Sequence, residues 1–273
     1  LADALGLSAE QAAQGVIDVA DVAMEGALRV ISVERGHDPA AFTLVPFGGA
    51  AGLHAAELAG RLGIERILLP PDPGVLSAFG MLVAPIRKEA SRTVLLEAAA
   101  GSTDDVARQL NEAFAALEAE VLAALADEGL RRRRPALERV VDARYAGQSH
   151  ELRVPADDWV ERFHAAHERR YGYAARAEPV VAVTLRVVGA VEVDAPPSSA
   201  LPEASGRAPV EARCDVVVRG TRLPAARYRR DTLLAGHSVA GPAIVTEYSA
   251  TAWLPPGWHG LVLGSGSILI RRT

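Results

Sequence analysis

The spacing of polar and apolar residues predicts a long amphipathic helix near the start of the chain. From Ser8 to Arg35, polar residues recur every three or four positions and leave an apolar face of alanine and valine opposite them. Ser8 and Gln11 have the spacing of a capping box, and Gly36 is placed to end the helix in a left-handed conformation. The pattern therefore marks both ends of this helix.

The next segments alternate between strand and helix patterns. The apolar run Phe42 to Phe47 predicts a buried strand, and a glycine turn separates it from a helix that continues to Arg61. Three more elements follow in the order strand, helix, strand: Ile64 to Leu69, Val75 to Val83 and Arg87 to Leu96. This alternation is typical of α/β folds.

The rest of the chain reads as α+β and then as β-rich. A helix is predicted from Asp104 to Asp127, followed by a hairpin, another helix and a strand: Val140 to Tyr145, Glu151 to Val154, Asp157 to Arg170 and Val180 to Val193. Residues 196–209, rich in Pro, Ser, Ala and Gly, predict an exposed linker or a long loop, and short strands follow. We expect two domains, 1–97 and 98–273.

Composition and charge exclude several classes of protein. The 273 residues are 49% hydrophobic and 23% charged, as in ordinary globular proteins. No run approaches the roughly 18 apolar residues of a membrane helix, and the start lacks a signal-peptide pattern, so we expect a cytoplasmic protein without a membrane partner. The net charge of -5 comes from interspersed charges, which argues against nucleic acid. The run Arg131 to Arg134 reads as a solvated loop.

Cysteine and histidine spacing predicts no metal site. Cys214 is the single cysteine, and its alternation with Val216 and Val218 predicts a side chain that faces the core. His164 and His167 are three residues apart, which is not the spacing of a zinc-binding helix. The chain starts with Leu and has no Met before Met24, so we expect it to begin inside a larger protein.

The residues from Gly48 to Gly52 could hold a nucleotide. Their sequence, Gly-Gly-Ala-Ala-Gly, lies between an apolar strand and a helix, where the backbone can approach a ligand and amides at the helix start face it. A glycine turn between strand and helix is also a common packing device. These residues alone leave both interpretations open.

Several ordered motifs resemble the A-type subunit of the ATP-dependent hydantoinase/oxoprolinase family. In the first part they are Ser-Val-Glu-Arg-Gly-His-Asp-Pro (32–39), Leu-Val-Pro-Phe-Gly-Gly-Ala (44–50), Leu-His-Ala (53–55) and Pro-Gly-Val-Leu-Ser-Ala-Phe-Gly (73–80). Later come Tyr-Ala-Gly-Gln-Ser (145–149), His-Glu-Arg-Arg-Tyr-Gly-Tyr (167–173), Gly-Pro-Ala-Ile-Val (241–245) and Leu-Pro-Pro-Gly-Trp (254–258). The resemblance covers nearly the whole chain.

The resemblance implies a fold and a nucleotide site. The expected fold class is α/β with α+β, in which the C-terminal part of an actin-like ATPase lobe, related to sugar kinases and chaperones, precedes a β-rich domain. ATP would be contacted by the turn residues Gly48, Gly49, Ala50 and Gly52. The ligands of the phosphates and of Mg²⁺ would lie mostly in an N-terminal lobe that this chain does not contain.

Two further residues have open roles. His54 is a catalytic candidate that matches the family's Leu-His-Ala, or a histidine hydrogen-bonded near a helix start. Ser77 is either a nucleotide contact or a structural hydroxyl at a helix start.

The resemblance implies the ATP-using subunit of an enzyme that opens a cyclic amide such as 5-oxoproline or a hydantoin, together with a B-type subunit or domain. A ketone carboxylase subunit of the same family is an alternative, because it uses the same ATP lobe. A second alternative is that the chain is a non-catalytic docking module for the B-type subunit. We expect the chain by itself to be inactive.

Overall fold

The computed structural model describes residues 1–98, 103–130, 133–196 and 199–273. The helices are α1 (Ala2–Leu5), α2 (Ala9–Ile31), α3 (Ala51–Leu62), α4 (Leu76–Val83), α5 (Thr103–Leu125) and α6 (Trp159–Tyr171). The first strands are β1 (Thr43–Leu44), β2 (Arg66–Leu69), β3 (Ile86–Ala98), β4 (Ala136–Tyr145), β5 (Leu152–Pro155) and β6 (Val180–Val191). The remaining strands are β7 (Ala212–Val218), β8 (Thr221–Arg229), β9 (Ser238–Ala240), β10 (Ala243–Glu247), β11 (Ala250–Leu254), β12 (Trp258–Val262) and β13 (Ile268–Arg272).

The chain divides into two compact units that do not follow the order of the sequence. Unit 1 consists of residues 1–81 and 196–273, and unit 2 of residues 82–195. Unit 1 combines both ends of the chain because β13 pairs antiparallel with β2 and extends the early sheet. The predicted division at residue 97 was drawn from the order of the elements, whereas these units group residues by contact.

Unit 1 contains two sheets and helices α1 to α3. One sheet has the strand order β1-β2-β13-β12-β9 and the other has the order β11-β10-β8-β7. In β13, Ile268 and Ile270 are buried while Leu269 between them is half-buried, the alternation of a strand with one face on the core. The same core contains Ala59 of α3 and Val239 of β9.

The predicted start of the first long helix is confirmed, whereas the helix ends earlier than predicted. Ser8 Oγ accepts a hydrogen bond from the Gln11 N–H at 3.1 Å, and Gln11 Oε1 accepts one from the Ser8 N–H at 2.9 Å. The α-helix itself ends at Ile31, and a short 3₁₀ turn follows. Gly36 then stops this turn with a φ of 80°, in the left-handed region.

Two local predictions in unit 1 are wrong. The expected buried strand from Phe42 to Phe47 is reduced to the two residues of β1. Because β1 lies at the edge of its sheet, Phe42 and Phe47 are left exposed. Cys214 is half-buried and not in the core, since its strand β7 is also an edge strand.

Unit 2 is a four-stranded sheet, in the order β3-β6-β4-β5, with α5 and α6 packed on it. The predicted hairpin is confirmed as the antiparallel pair β4 and β5. The apolar stripe of α5, which includes Leu117 and Val121, is buried with Leu185 and Val187 of β6.

Two predicted loops, residues 196–209 and the basic run Arg131 to Arg134, are described only in part. In the predicted linker 196–209, the described residues form no regular strand, but two isolated bridges, Glu203 with Ala235 and Arg207 with Ser238, hold the segment against unit 1, and Ala208 is buried in the core. Residues 197–198, and Arg131 and Arg132 of the basic run, lie outside the described residues. Among the helices described, none is both long and apolar enough to cross a membrane.

Candidate functional site

The glycine turn between β1 and α3 has one glycine with an open face. Gly48 adopts a φ of 96°, a conformation that side chains disfavour, and a Cβ added there would meet no atom within 4 Å. The Gly48 N–H donates to the Pro73 carbonyl at 2.7 Å, which fixes this turn against the turn before α4. Gly48 therefore combines a required backbone conformation with free space beside it.

The other glycines of this region make room for strand β11 and for the turn that precedes it. A Cβ on Gly49 would lie 3.0 Å from the Ser249 carbonyl oxygen, and one on Gly52 would lie 2.9 Å from the Ala252 Cβ. A Cβ on Gly74 would collide with Ser249. The Thr251 N–H also donates to the Gly49 carbonyl at 3.1 Å. Packing against the chain itself is thus sufficient reason for glycine at 49, 52 and 74.

The start of α3 has the features that a nucleotide would use. Its N-cap is Ala50, which makes no side-chain capping hydrogen bond. The first N–H groups of a helix have no partner inside the helix and carry the positive end of its dipole. The residues present therefore fit a polar or anionic group placed between Gly48 and the first turn of α3.

His54 has a partner that the sequence did not reveal. Its Nδ1 lies 2.7 Å from Oδ1 of Asp21 on α2, and the Asp21 side chain is only 2% exposed. With an ionised carboxylate as acceptor, Nδ1 carries the proton and Nε2 has a free lone pair. In the sequence, the only sign of a role for Asp21 was its position among the polar residues of α2. Its burial and its contact with His54 became visible only from the packing of α3 on α2.

A cavity of about 250 Å³ lies beside this pair in unit 1. Asp21 and Leu53 line it together with Asp18, Arg219 and Trp253. Asp18 accepts a hydrogen bond from the side-chain amide of Gln14 at 2.9 Å. Asp21 thus connects His54 to a partly apolar cavity.

Ser77 lies on a separate element from these residues. It is exposed in the first turn of α4, immediately after the turn that holds Gly48. The structure brings Gly48, Gly49, Ala50, Gly52 and His54 into one turn and helix start, with Ser77 in the neighbouring element.

The motifs of unit 2 form an aromatic cluster. The Ala175 N–H donates to Tyr145 Oη at 2.8 Å, and the same hydroxyl is hydrogen-bonded to His164 Nδ1, also at 2.8 Å. His167 Nδ1 donates to the Tyr173 carbonyl at 2.8 Å. Burial lowers the pKa of His164 from its ordinary value, and the neighbouring Arg176 lowers it further. These contacts account for both histidines without a metal.

The part of the chain that the structure describes contains no cluster of candidate metal ligands. No group of three or more His, Cys, Asp or Glu side chains is placed there to hold an ion.

Comparison with known proteins identifies the family. The model for hydantoinase/oxoprolinase matches residues 1–90, and the model for its C-terminal domain matches residues 97–264. The chain belongs to the hydantoinase/oxoprolinase family. The resemblance inferred from the motifs is therefore confirmed.

Two similar proteins come from a methanogen and a pseudomonad. An uncharacterized protein of Methanocaldococcus jannaschii is 32% identical over 100% of this chain. Caprolactamase subunit alpha of Pseudomonas jessenii is 29% identical over 95% of it. The chain spans 39% of each of these relatives.

The fold is shared with a solved family structure. Nucleotide-free acetone carboxylase, from a study of ATP-dependent acetone carboxylation, superposes with a TM-score of 0.84 and 25% identity. It is matched over 100% of this chain and 41% of its own chain. The predicted fold class, α/β with α+β from part of an ATPase lobe and a β-rich C-terminal domain, is confirmed.

Proposed function

We propose that this chain is the nucleotide-contacting part of the ATP-using subunit of a cyclic-amide hydrolase, which opens a ring such as that of 5-oxoproline or a hydantoin. The observation that carries the proposal is the open Gly48 turn joined to the uncapped start of α3, in a chain of this family. The likeness to caprolactamase subunit alpha supports a cyclic amide as substrate class.

The residues of the turn would bind and orient the nucleotide. Gly48, Gly49 and Ala50 would present backbone to the adenosine, with Gly52 allowing α3 to start close by and Ser77 offering a hydroxyl from α4. When bound, ATP supplies the phosphoryl group that activates the amide oxygen. Ligands for Mg²⁺ and for the phosphates would come from parts of the longer protein outside this chain.

His54 would hold or move a proton in this site. Asp21 fixes the imidazole with Nδ1 protonated, so Nε2 is the atom that would accept a proton from water or a hydrogen bond from substrate. This is the arrangement that a general base requires.

The proposal also assigns a role to each predicted domain and to a partner subunit. Residues 1–97 would carry the ATP-lobe residues, and residues 98–273 would form the second domain. A B-type subunit or domain would complete the hydrolytic site. Caprolactamase subunit alpha is by its name part of a multisubunit enzyme, which supports a partner of this kind.

The nucleotide role is tested with two glycine variants of the full-length protein. Gly48→Ala and Gly36→Ala both place a Cβ on a positive-φ backbone with nothing within 4 Å, so their conformational costs are similar. We expect Gly48→Ala to weaken ATP binding in calorimetric titration by roughly tenfold or more, while Gly36→Ala binds as the wild type does. Equal ATP affinity in the two folded variants would remove the adenosine role of the turn.

Ketone carboxylation is the second candidate, favoured by the likeness to acetone carboxylase. The full-length protein with its companion subunit would be given 5-oxoproline, hydantoin or caprolactam in one series and acetone with bicarbonate in another. Phosphate release that depends on a cyclic amide supports hydrolysis. Release that requires both ketone and bicarbonate supports carboxylation instead.

A further inference from the structure

The outer face of the five-stranded sheet in unit 1 carries a row of basic side chains. The strand register places Arg66 of β2 directly opposite Arg271 of β13, and Arg271 directly opposite His259 of β12. The next residues along these strands, Ile67, Ile270 and Gly260, are buried, so the three basic side chains point away from the core. All three are exposed.

This basic row has no carboxylate partner among the described residues, whereas several other arginines of unit 1 are paired. Like charges directly opposite each other on neighbouring strands are destabilising. Arg61 and Arg219 both pair with Glu57, and Arg229 pairs with Asp231. No acidic group among the described residues lies within ion-pair distance of Arg66, Arg271 or His259. The sheet therefore presents concentrated positive charge in a chain whose net charge is -5.

A row of leucines lies next to the basic row on the same face. Leu68, Leu269 and Leu261 are opposite one another on the same three strands, two residues further along. Leu261 is 46% exposed, and the other two are half-buried. An apolar row beside a charged row is typical of a protein interface, in which burial supplies affinity and charge supplies orientation. A nucleic-acid backbone would use the charge but not the leucines.

We propose that this face, defined by Arg66, Leu68, His259, Leu261, Leu269 and Arg271, docks an acidic and partly apolar surface of the companion subunit. The inference rests on the proposed function only in taking the companion subunit as the partner. Carboxylates of the partner would lie over the arginines and relieve their mutual repulsion, and its apolar side chains would cover the leucines. The face lies on strands that run through the core, so it is rigid before the partner binds.

The test uses the full-length protein and its companion subunit. We expect Arg66→Glu/Arg271→Glu to raise the Kd for the companion subunit by roughly tenfold or more at low salt, because both substitutions place a carboxylate against an acidic surface. The control is Arg213→Glu, which changes an exposed arginine on edge strand β7 of the other sheet and should leave the Kd unchanged. Sodium chloride should weaken the wild-type complex, whereas it should screen the repulsion in the complex of the glutamate double variant and so strengthen it.

A milder pair, Arg66→Gln/Arg271→Gln, keeps long polar side chains without charge and serves if the glutamate variant does not fold. If a folded glutamine or glutamate variant binds the companion subunit with the same Kd as the wild type, the docking surface is overturned, while the companion subunit still stands as a partner. Absence of any wild-type complex would overturn both the docking surface and the partner. If the glutamine variant by itself melts far below Arg213→Glu, the longer chain itself covers this face, which also overturns the proposal.

Discussion

At the scale of single residues, the glycines of the candidate site fall into two groups. Gly48 is required by its backbone conformation and has open space beside it, whereas Gly49 lies against the Ser249 carbonyl in the turn after β10 and Gly52 lies against strand β11. A sequence shows five small residues in a row but not what approaches each of them. The distinction decides which substitution can test ligand binding and which would test packing.

Gly52→Ala should destabilise unit 1 through overpacking. Its Cβ would lie 2.9 Å from both the Ala252 Cβ and the Thr251 carbonyl oxygen. We expect a loss of about 1–3 kcal/mol in the free energy of unfolding measured by urea titration. The control is Gly60→Ala on the same helix, where a Cβ meets nothing within 4 Å and the better helix propensity of alanine should stabilise by up to about 1 kcal/mol. Equal effects of the two substitutions would contradict the close contact of α3 with β11.

His164 should make unit 2 sensitive to mild acid. Burial lowers its pKa in the folded protein, so below the ordinary histidine value of about 6.5 the unfolded chain binds more protons than the folded one. Stability from this group is therefore present above that pH and is lost as the pH falls toward the folded-state pKa.

The measurement is the melting temperature of the chain between pH 7.5 and 5. We expect His164→Gln to lower the melting temperature at pH 7.5 and to flatten its decline on acidification. A decline as steep as that of the wild type would show that other groups cause the acid sensitivity.

At the scale of elements, an ion-pair network crosses the sheet of unit 2. Asp142 of β4 accepts hydrogen bonds from Arg153 of β5 at 3.0 Å and from Arg186 of β6 at 2.6 Å. Arg186 also donates to Glu89 of β3 at 2.6 Å. Burial by itself would raise the pKa of Asp142, but the bonds from the two arginines outweigh it and lower the pKa. The network thus joins all four strands in their observed order.

Asp142→Asn should weaken this sheet. The amide keeps the shape of the carboxylate but has one oxygen acceptor and no charge for two guanidinium groups. We expect a loss of about 2 kcal/mol in unfolding free energy, in the range for hydrogen bonds to charged groups. Glu161→Gln removes the exposed pair with Arg176 and should change stability little. If both variants unfold at the same urea concentration, Asp142 does not join the strands energetically.

At the scale of the whole molecule, the chain spans about two fifths of its relatives, yet unit 1 and unit 2 each have a core of their own. We expect the purified chain to unfold cooperatively and to show no ATP-dependent hydrolysis of 5-oxoproline, hydantoin or caprolactam, because the phosphate and metal ligands of the proposed mechanism lie outside it. Phosphate release that depends on the amide and exceeds a mock purification would refute this expectation.

Much of the local structure followed from the sequence because it depends on neighbours along the chain. The capping box at Ser8 and the β4–β5 hairpin are encoded within a few residues and were predicted correctly. Gly36 has the predicted left-handed conformation, but it ends a 3₁₀ turn and not the α-helix itself. The ordered motifs were specific enough to identify the family, which is now confirmed. The nucleotide and catalytic roles of Gly48 and His54 stay predictions.

Only the tertiary structure decided the features that join distant parts of the chain. The pairing of β13 with β2 returns the C-terminal strands to the first sheet, and it aligns Arg271 with Arg66. The contact of Asp21 with His54 spans two helices and depends on how they pack. Local pattern reports which face of an element is apolar, but not which other element covers that face. These contacts are set by the burial of one face against another, and so they could be read only from the folded chain.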